Sequence, residues 1–198
     1  KNIPISNEYL ENIDINRIIA IESFNEKKYK TCAFYARKIL RQNYYDNEMH
    51  LLIGEAFRNI GNYTNAENHY RLVLSRDSKK VEALYGIIMV LWVQEKFREL
   101  FDELTRGKKR FPQDKIIDYY YALTVSRLLL DPHETILLLE KELEYNDPDA
   151  YLYEALGEQY FRISNLKKAE DFFKKSIDVK NNQAAYIGLI KTYHLLGK

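Results

Sequence analysis

A 34-residue register, restarted several times along the chain, is the feature that most limits what this sequence can fold into. The pattern begins at Asn47 and restarts at Val81 and at Lys115. In its first copy, residues 54–74 (GEAFRNIGNYTNAENHYRLVL) hold two runs of apolar residues at three- and four-residue spacing, separated by a Gly-Asn pair at 61–62. Such spacing is typical of helices that bury one stripe of side chains, and the Gly-Asn pair favours a turn. We therefore predict a first helix, a tight turn and a second helix in each repeat.

Small and aromatic residues recur at fixed offsets within these repeats. The set Gly54, Phe57, Ala66, Tyr70 and Val73 returns as Gly157, Tyr160, Ala169, Phe173 and Ser176. A 34-residue helix–turn–helix unit with this pattern resembles the tetratricopeptide repeat. The resemblance implies an all-α fold, a right-handed superhelix (α-solenoid) of stacked antiparallel helix pairs, with about five such units and a final helix.

The register also predicts how the chain is divided. Residues 1–12 are expected to form a lead-in segment, and residues 13–198 a single solenoid domain. The predicted repeats are 13–46, 47–80, 81–114, 115–149 and 150–182, followed by a partial repeat at 183–198.

The third repeat departs from the family pattern. Ile88 and Leu100 replace the small residues of the second repeat, and Gly86 falls two places early. Gly188, in the last segment, occupies the same early position.

Cys32 stands where the second repeat has Ala66, a position at which a small side chain lets two helices approach closely. We predict that Cys32 is buried and acts as a small apolar residue. A single cysteine forms no internal disulfide and fits a reducing compartment. Together with an N-terminus that lacks the layout of a signal peptide, this favours a cytoplasmic or nuclear protein.

The composition argues against several classes of function. The formal net charge is +1, from 30 Lys and Arg against 29 Asp and Glu, which disfavours a general nucleic-acid binder. No apolar run approaches the roughly 20 residues of a membrane-spanning helix. Nucleotide-binding and hydrolase motifs are missing from the sequence, so we predict no enzyme activity, no catalytic residue and no cofactor.

Two groups of polar residues are candidates for a functional site. His50, His69, His133 and His194 are expected to lie one per distant repeat, and they include no i, i+4 pair and no cysteine partner, so we expect no metal site. The basic run RGKKRF at 106–111 is expected to end a helix, where positive charge complements the helix dipole, although it is also a candidate patch for a phosphate or an acidic partner.

The family resemblance also implies a binding surface. In tetratricopeptide-repeat proteins the first helices line a concave groove, and carrying their inward positions onto this sequence predicts twelve groove residues. They are Arg17, Phe24, Glu55, Arg58, Tyr85, Met89, Trp92, Tyr119, Leu123, Arg127, Phe161 and Arg162. Aromatic residues, Met and Arg are enriched at interface hot spots, so we expect a partner segment with apolar anchors and some acidic residues.

One known specificity is not expected. Chaperone-binding members of the family hold a terminal carboxylate with a clamp of Lys and Asn residues. The corresponding positions here are Arg17, Ile21, Glu55 and Met89, which include neither residue type.

The last predicted helix, 183–196, carries more apolar residues than one buried stripe needs. They are Ile187, Leu189, Ile190, Tyr193, Leu195 and Leu196. We expect either that the native protein continues or that this end packs on another chain, including through self-association.

Three functions remain in competition. The leading hypothesis is a non-catalytic protein–protein interaction module or scaffold. The first alternative is a regulatory or targeting domain of a larger enzyme or multi-subunit assembly of which this chain is a fragment; residues 27–40 (KKYKTCAFYARKIL) resemble opening repeats of the anaphase-promoting complex scaffold subunits, which belong to a ubiquitin ligase. The second alternative, RNA binding by helical repeats, predicts a basic inner face that the mixed charges do not provide.

Overall fold

The computed structural model of the protein describes residues 12–145 and 149–198, and the helices found there confirm the all-α prediction. Most of the predicted lead-in, residues 1–11, lies outside the described residues. The described helices are α1 (Ile13–Asn25), α2 (Tyr29–Gln42), α3 (Asn47–Asn59), α4 (Tyr63–Arg76), α5 (Val81–Val93), α6 (Phe97–Arg110), α7 (Lys115–Arg127), α8 (Pro132–Tyr145), α9 (Ala150–Arg162), α10 (Leu166–Val179) and α11 (Gln183–Leu196).

Short polar side chains start the first helix of most repeats. Asn12, Asp46, Asp114, Asp149 and Asn182 each accept hydrogen bonds from backbone N–H groups of the first turn, as at α9, where the N–H groups of residues 151 and 152 lie 2.9 Å from the Asp149 carboxylate. A helix leaves its first N–H groups without intrahelical partners, and such a cap contributes about 1 kcal/mol. The first helix α5 differs, because Lys80 precedes it without a side-chain cap.

The turn inside each repeat ends the first helix with a residue in the left-handed region. These residues are Lys27, Gly61, Glu95, Leu129 and Ser164, with φ between 53° and 78°. Only Gly61 is a glycine, the residue that adopts this conformation at no steric cost. The repeats therefore share one turn geometry although only one of them carries the glycine that predicts it.

The chain divides into two compact units, the first ending at Lys96 and the second beginning at Phe97. In the first unit, the ring of Tyr70 on α4 lies between two glycines of neighbouring first helices. A Cβ atom added at Gly54 on α3 would stand 2.6 Å from the ring, and one added at Gly86 on α5 would stand 2.4 Å from it. The early position of Gly86 thus has a structural reason, because it lets α5 approach the far face of that ring.

The second unit repeats this arrangement. Phe173 on α10 is buried between Gly157 on α9 and Gly188 on α11, where added Cβ atoms would lie 2.7 and 2.3 Å from its ring. Gly188 has the same role as Gly86. Because neither Gly157 nor Gly188 has a side chain, both α9 and α11 can pack closely against the ring of Phe173 on α10.

The described structure confirms the expected role of Cys32. Cys32 is fully buried, and burial raises the pKa of its thiol to about 11, so it acts as a small apolar residue. On α11, several apolar side chains are exposed, among them Tyr186, Ile187 and Ile190. No helix in the described part of the chain is long and apolar enough to cross a membrane.

Candidate functional site

A groove in the second unit lies along the first helices α7, α9 and α11 and encloses a cavity of about 440 Å³. Its lining residues are Arg127, Leu129, Glu154, Glu158, Phe161, Arg162, Phe173, Ala184, Ile187, Gly188 and Lys191. Three predicted groove residues, Arg127, Phe161 and Arg162, therefore line one cavity. We call it the α7–α9–α11 groove.

Arg127 ties α7 to α9. Its guanidinium donates hydrogen bonds to both carboxylate oxygens of Glu154, at 2.7 and 3.3 Å. Glu154 is only 3% exposed, and burial raises the pKa of its carboxyl while Arg127 opposes that rise. Glu158 lies 3.9 Å from the same guanidinium, beyond hydrogen-bond distance. Arg127 therefore neutralises a buried carboxylate inside the unit.

Arg162 ties α9 to the turn that follows α7. Its Nη2 donates to the backbone carbonyl oxygens of Leu129 and Leu130, both at 3.0 Å, and its Nη1 donates to the side-chain oxygen of Gln159. Both carbonyl groups lie beyond the end of α7, so these hydrogen bonds hold α9 against the turn and not against the helix itself.

Tyr119 and Leu123, the other two predicted groove residues of this unit, are also engaged within it. The Tyr119 hydroxyl donates to the Asp149 carboxylate, which caps α9. Leu123 is only 2% exposed, so the structure places it in the core and not on a surface that a partner could reach. The sequence places Leu123 in the groove because the inward-facing positions of the helix come from the family pattern. That pattern does not include the packing of the neighbouring helices, which buries Leu123 here.

The groove also contains exposed residues that are not among the twelve predicted groove residues. Leu129 is 58% exposed and Ile187 is 46% exposed, and Lys191 is exposed beside them. Ile187 and Lys191 stand at the same offsets in α11 as Glu154 and Glu158 do in α9. Carrying the groove positions into the partial last repeat would have found both; Leu129 belongs to a turn, and helix positions could not have shown it.

In the first unit, the charged residues predicted for the groove are paired with each other or with neighbouring repeats. Arg17 on α1 pairs with Asp46 and lies 3.4 Å from Glu48, and Arg58 pairs with Glu55 on the same helix. Glu55 also accepts a hydrogen bond from the hydroxyl of Tyr70, at 2.7 Å. These cations and carboxylates hold first helices to their neighbours.

The apolar predicted residues of the first unit are half-buried. Phe24 packs edge-on against Tyr29, with ring centroids 5.4 Å apart. Tyr85, Met89 and Trp92 all lie on α5 and are each partly exposed. Binding of a partner by any of the twelve predicted residues stays a prediction.

The expectation of scattered histidines is wrong for two of them. His50 on α3 and His69 on α4 lie in one repeat, with their Nδ1 atoms 2.8 Å apart, and Nε2 of His50 is 2.9 Å from the carbonyl oxygen of Tyr44. The His50 Nε2–H therefore donates to that carbonyl, and its Nδ1 accepts from the Nδ1–H of His69. Burial lowers the pKa of both imidazoles, to about 4 for His69.

The basic run at the end of α6 is partly used within its own unit. Lys108 pairs with Asp118 and lies over the ring of Tyr121, and Arg106 is 2.9 Å from Glu103. Within the described ranges, no three His, Cys, Asp or Glu side chains are grouped so that they could hold a metal ion.

Comparison with known proteins agrees with this architecture. Residues 48–80 match the family model described as a tetratricopeptide repeat. No curated protein sequence matches the chain.

Solved structures with a similar fold are tetratricopeptide-repeat proteins. MamA from Desulfovibrio magneticus RS-1, solved from residue 41 to its end, is 19% identical over 86% of this chain and 96% of that one, with a TM-score of 0.74. YrrB, described as a TPR protein with an unusual peptide-binding site, is 14% identical over 97% and 95%, with a TM-score of 0.72. A tetratricopeptide repeat protein from Parabacteroides merdae is 19% identical over 94% and 73%, with a TM-score of 0.60. At these identities the likeness establishes the fold.

Proposed function

We propose that this chain, which has the fold of the tetratricopeptide-repeat proteins, is a non-catalytic interaction module or scaffold whose first helices bind a segment of a partner protein. The observation that carries the proposal is the α7–α9–α11 groove, a cavity of about 440 Å³ with exposed Leu129 and Ile187 along it. Exposed apolar side chains in a concave surface are typical of protein-binding sites. The peptide-binding site named for the similar YrrB supports the same function here.

We propose further that the module is not of the chaperone carboxylate-clamp type. Arg17 and Glu55 stand at two of the clamp positions, and both are paired, with Asp46 and with Arg58. A clamp needs cationic and amide donors that are available to a terminal carboxylate, and this first unit offers a carboxylate, Glu55, at one of those positions.

A nucleic acid is a poor candidate for the partner. The net charge is +1, and most of the arginines discussed above are paired with carboxylates or backbone carbonyls of the chain itself. Nucleic-acid affinity comes mainly from cations that neutralise phosphates.

Capture of partners from a cell extract, followed by mass spectrometry, tests the groove. We expect a Leu129→Ser, Ile187→Ser double variant to lose at least about fivefold of the partner yield, because each substitution removes an apolar contact of roughly 1 kcal/mol. Leu137→Ser is the matched control, since Leu137 on α8 is 68% exposed and does not line the groove. Equal yields from the double variant and the control would contradict the proposal.

The second candidate function is a regulatory or targeting part of a larger enzyme or multi-subunit assembly, such as a ubiquitin-ligase scaffold subunit. The exposed apolar face of α11 favours it, because Tyr186 and Ile190 offer a surface for another chain. Self-association through α11, a separate possibility, would use the same surface. Light scattering of the 198-residue chain at high concentration should then show a dimer that Ile190→Glu abolishes; a strict monomer would contradict self-association.

We also propose that residues 13–198 act as one solenoid domain.

We propose further that the protein works in the cytoplasm or the nucleus. The support for such a reducing compartment is the single, buried thiol of Cys32.

A further inference from the structure

The two arginines that the sequence assigns to partner binding are already committed inside the groove. Arg127 holds the carboxylate of Glu154, which is almost fully buried. If Arg127 turned to an acidic residue of a partner, it would leave that buried charge unpaired, and this costs more than an exposed ion pair returns.

Arg162 is held by three hydrogen bonds to uncharged acceptors. Both hydrogens of its Nη2 are directed to the carbonyl oxygens of Leu129 and Leu130, and its Nη1 is directed to Gln159. Moving Arg162 towards a partner would break all three hydrogen bonds, and an exposed ion pair contributes at most about 1 kcal/mol in return. Glu154 offsets the charge of Arg127, and Arg162 stays bound to the turn.

Two further charged side chains are accessible on different helices of the same groove. Glu158 on α9 lies 3.9 Å from Arg127, close enough for an ion pair but not for a hydrogen bond, and 42% of its side chain is exposed. Lys191 on α11 is exposed and has no ion-pair partner among the residues that the structure describes. One negative group that takes no hydrogen bond from Arg127, Glu158, and one positive group, Lys191, thus line the cavity.

Apolar side chains make up the rest of the accessible lining. Leu129 and Ile187 are about half exposed, and Phe161 is partly exposed. Apolar area is the main source of affinity in such a surface, whereas the charges at its rim decide which partner fits.

We propose that the α7–α9–α11 groove selects a segment of another protein in which aliphatic side chains stand between a basic residue, which faces Glu158, and an acidic residue, which faces Lys191. Arg127 and Arg162 are then positioning residues that shape the groove. This inference rests on the proposed function, and it replaces the acidic partner expected from the sequence with one of balanced charge.

Five capped peptides, titrated against the 198-residue chain, test this selection. Four carry a Leu-Leu core flanked by Lys and Glu, by Glu and Lys, by two Glu or by two Lys residues, and the fifth carries a Ser-Ser core. Binding is read from the methyl signal of Ile187 in an isotope-labelled sample, identified with an Ile187→Val variant. We expect one of the two mixed-charge peptides to bind about fivefold more tightly than either like-charged peptide, because a rim ion pair contributes up to about that factor.

Charge reversal at one residue provides the matched comparison. Lys191→Glu should shift the preference towards the peptide with two Lys residues, whereas Lys167→Glu, at an exposed lysine outside the groove, should change nothing. Tightest binding by the peptide with two Glu residues would overturn this inference and leave the proposed function standing. If no peptide with a Leu-Leu core shifts the Ile187 signal, both fail.

Discussion

At the scale of single residues, the two aromatic rings held between glycines account for the most specific packing in each unit. Tyr70 and Phe173 are buried, and each touches a glycine of its own repeat and a glycine of the next. Close-packed interiors tolerate an added methyl group poorly when the neighbouring atoms belong to a buried ring. The glycines at these positions are therefore required by contact, although glycine in a helix is otherwise unfavourable.

Gly188→Ala tests this contact. The new Cβ would lie 2.3 Å from the ring of Phe173, so the free energy of unfolding should fall by about 1–3 kcal/mol despite the better helix propensity of alanine. Urea denaturation followed by circular dichroism measures the change. Combining Gly188→Ala with Phe173→Leu, which removes the ring, should make the penalty of the alanine smaller; a penalty of the same size in both backgrounds would count against the contact.

The histidine pair predicts a dependence of stability on pH. The pKa of His69 is lowered from its ordinary value of 6.5 to about 4 by burial and by the charges of His50 and Arg37. The pKa of His50 is also lowered by burial; the charge of Arg76 lowers it further, and that of Asp46 raises it. The imidazole of His69 binds a proton more readily in the unfolded chain than in the folded one. The free energy of unfolding should therefore fall as the pH drops below about 6.5, the unfolded pKa, and this fall should end near pH 4, the folded pKa. Because His69 is partly exposed, we expect a loss of at most about 2 kcal/mol.

His69→Gln keeps a donor for His50 and does not titrate. Its free energy of unfolding should depend less on pH between 6.5 and 4 than that of the wild type, while His133→Gln, at an exposed position, should leave the dependence unchanged. Parallel pH profiles for the wild type and His69→Gln would exclude the pair as the source.

At the scale of helices, successive first helices of the second unit are joined by polar side chains as well as by apolar packing. Tyr119 reaches Asp149, Arg127 reaches Glu154, and Arg162 reaches the carbonyl groups of Leu129 and Leu130. These contacts span 27 to 33 residues of sequence. They connect α7 and the turn that follows it to α9, the first helix of the next repeat, and so hold two of the helices that line the groove.

Arg127→Leu should destabilise the second unit by about 2–3 kcal/mol, because it leaves Glu154 buried and unpaired. The double variant Arg127→Leu, Glu154→Leu removes both charges and should recover most of that loss. Thermal unfolding of the three proteins measures the difference. A double variant no more stable than Arg127→Leu would show that the pair does not hold the helices together.

The sequence predicts the helices of this fold well and the contacts between them poorly. The last helix was predicted at 183–196 and is found there, because helix boundaries follow from local periodicity and from caps such as Asn182. The hydrogen bond between Arg162 and the turn at Leu129 was not predictable from the sequence. It joins residues 33 apart, and the left-handed position of that turn is occupied by Leu129 and not by the glycine that would indicate it. The residues of the groove were thus found in part, while their roles required the structure.

At the scale of the whole molecule, charge is balanced both in total and locally. The 30 basic and 29 acidic residues include the ion pairs of Arg17, Arg58 and Arg127 described above. A molecule of this kind has little long-range attraction for polyanions, and its recognition depends on short-range contacts.

A labelled single-stranded RNA of about 20 nucleotides provides the corresponding measurement. We expect no saturable change in fluorescence anisotropy with the 198-residue chain at up to about 10 µM and 150 mM salt, because few cations are available to release counterions. Tight binding that weakens steeply with added salt would contradict the protein-binding assignment.

The ring of Phe173 has one more consequence, because it lies against both α9 and α11 and also lines the cavity between them. The size of this one side chain sets how far apart the two walls of the cavity stand. Exchanging it for a smaller residue, with an alanine at Gly157 to fill the space, would change the width of the opening without altering any residue at its rim. Partner preference could in this way change during evolution through the interior of the protein, with the exposed surface left as it was.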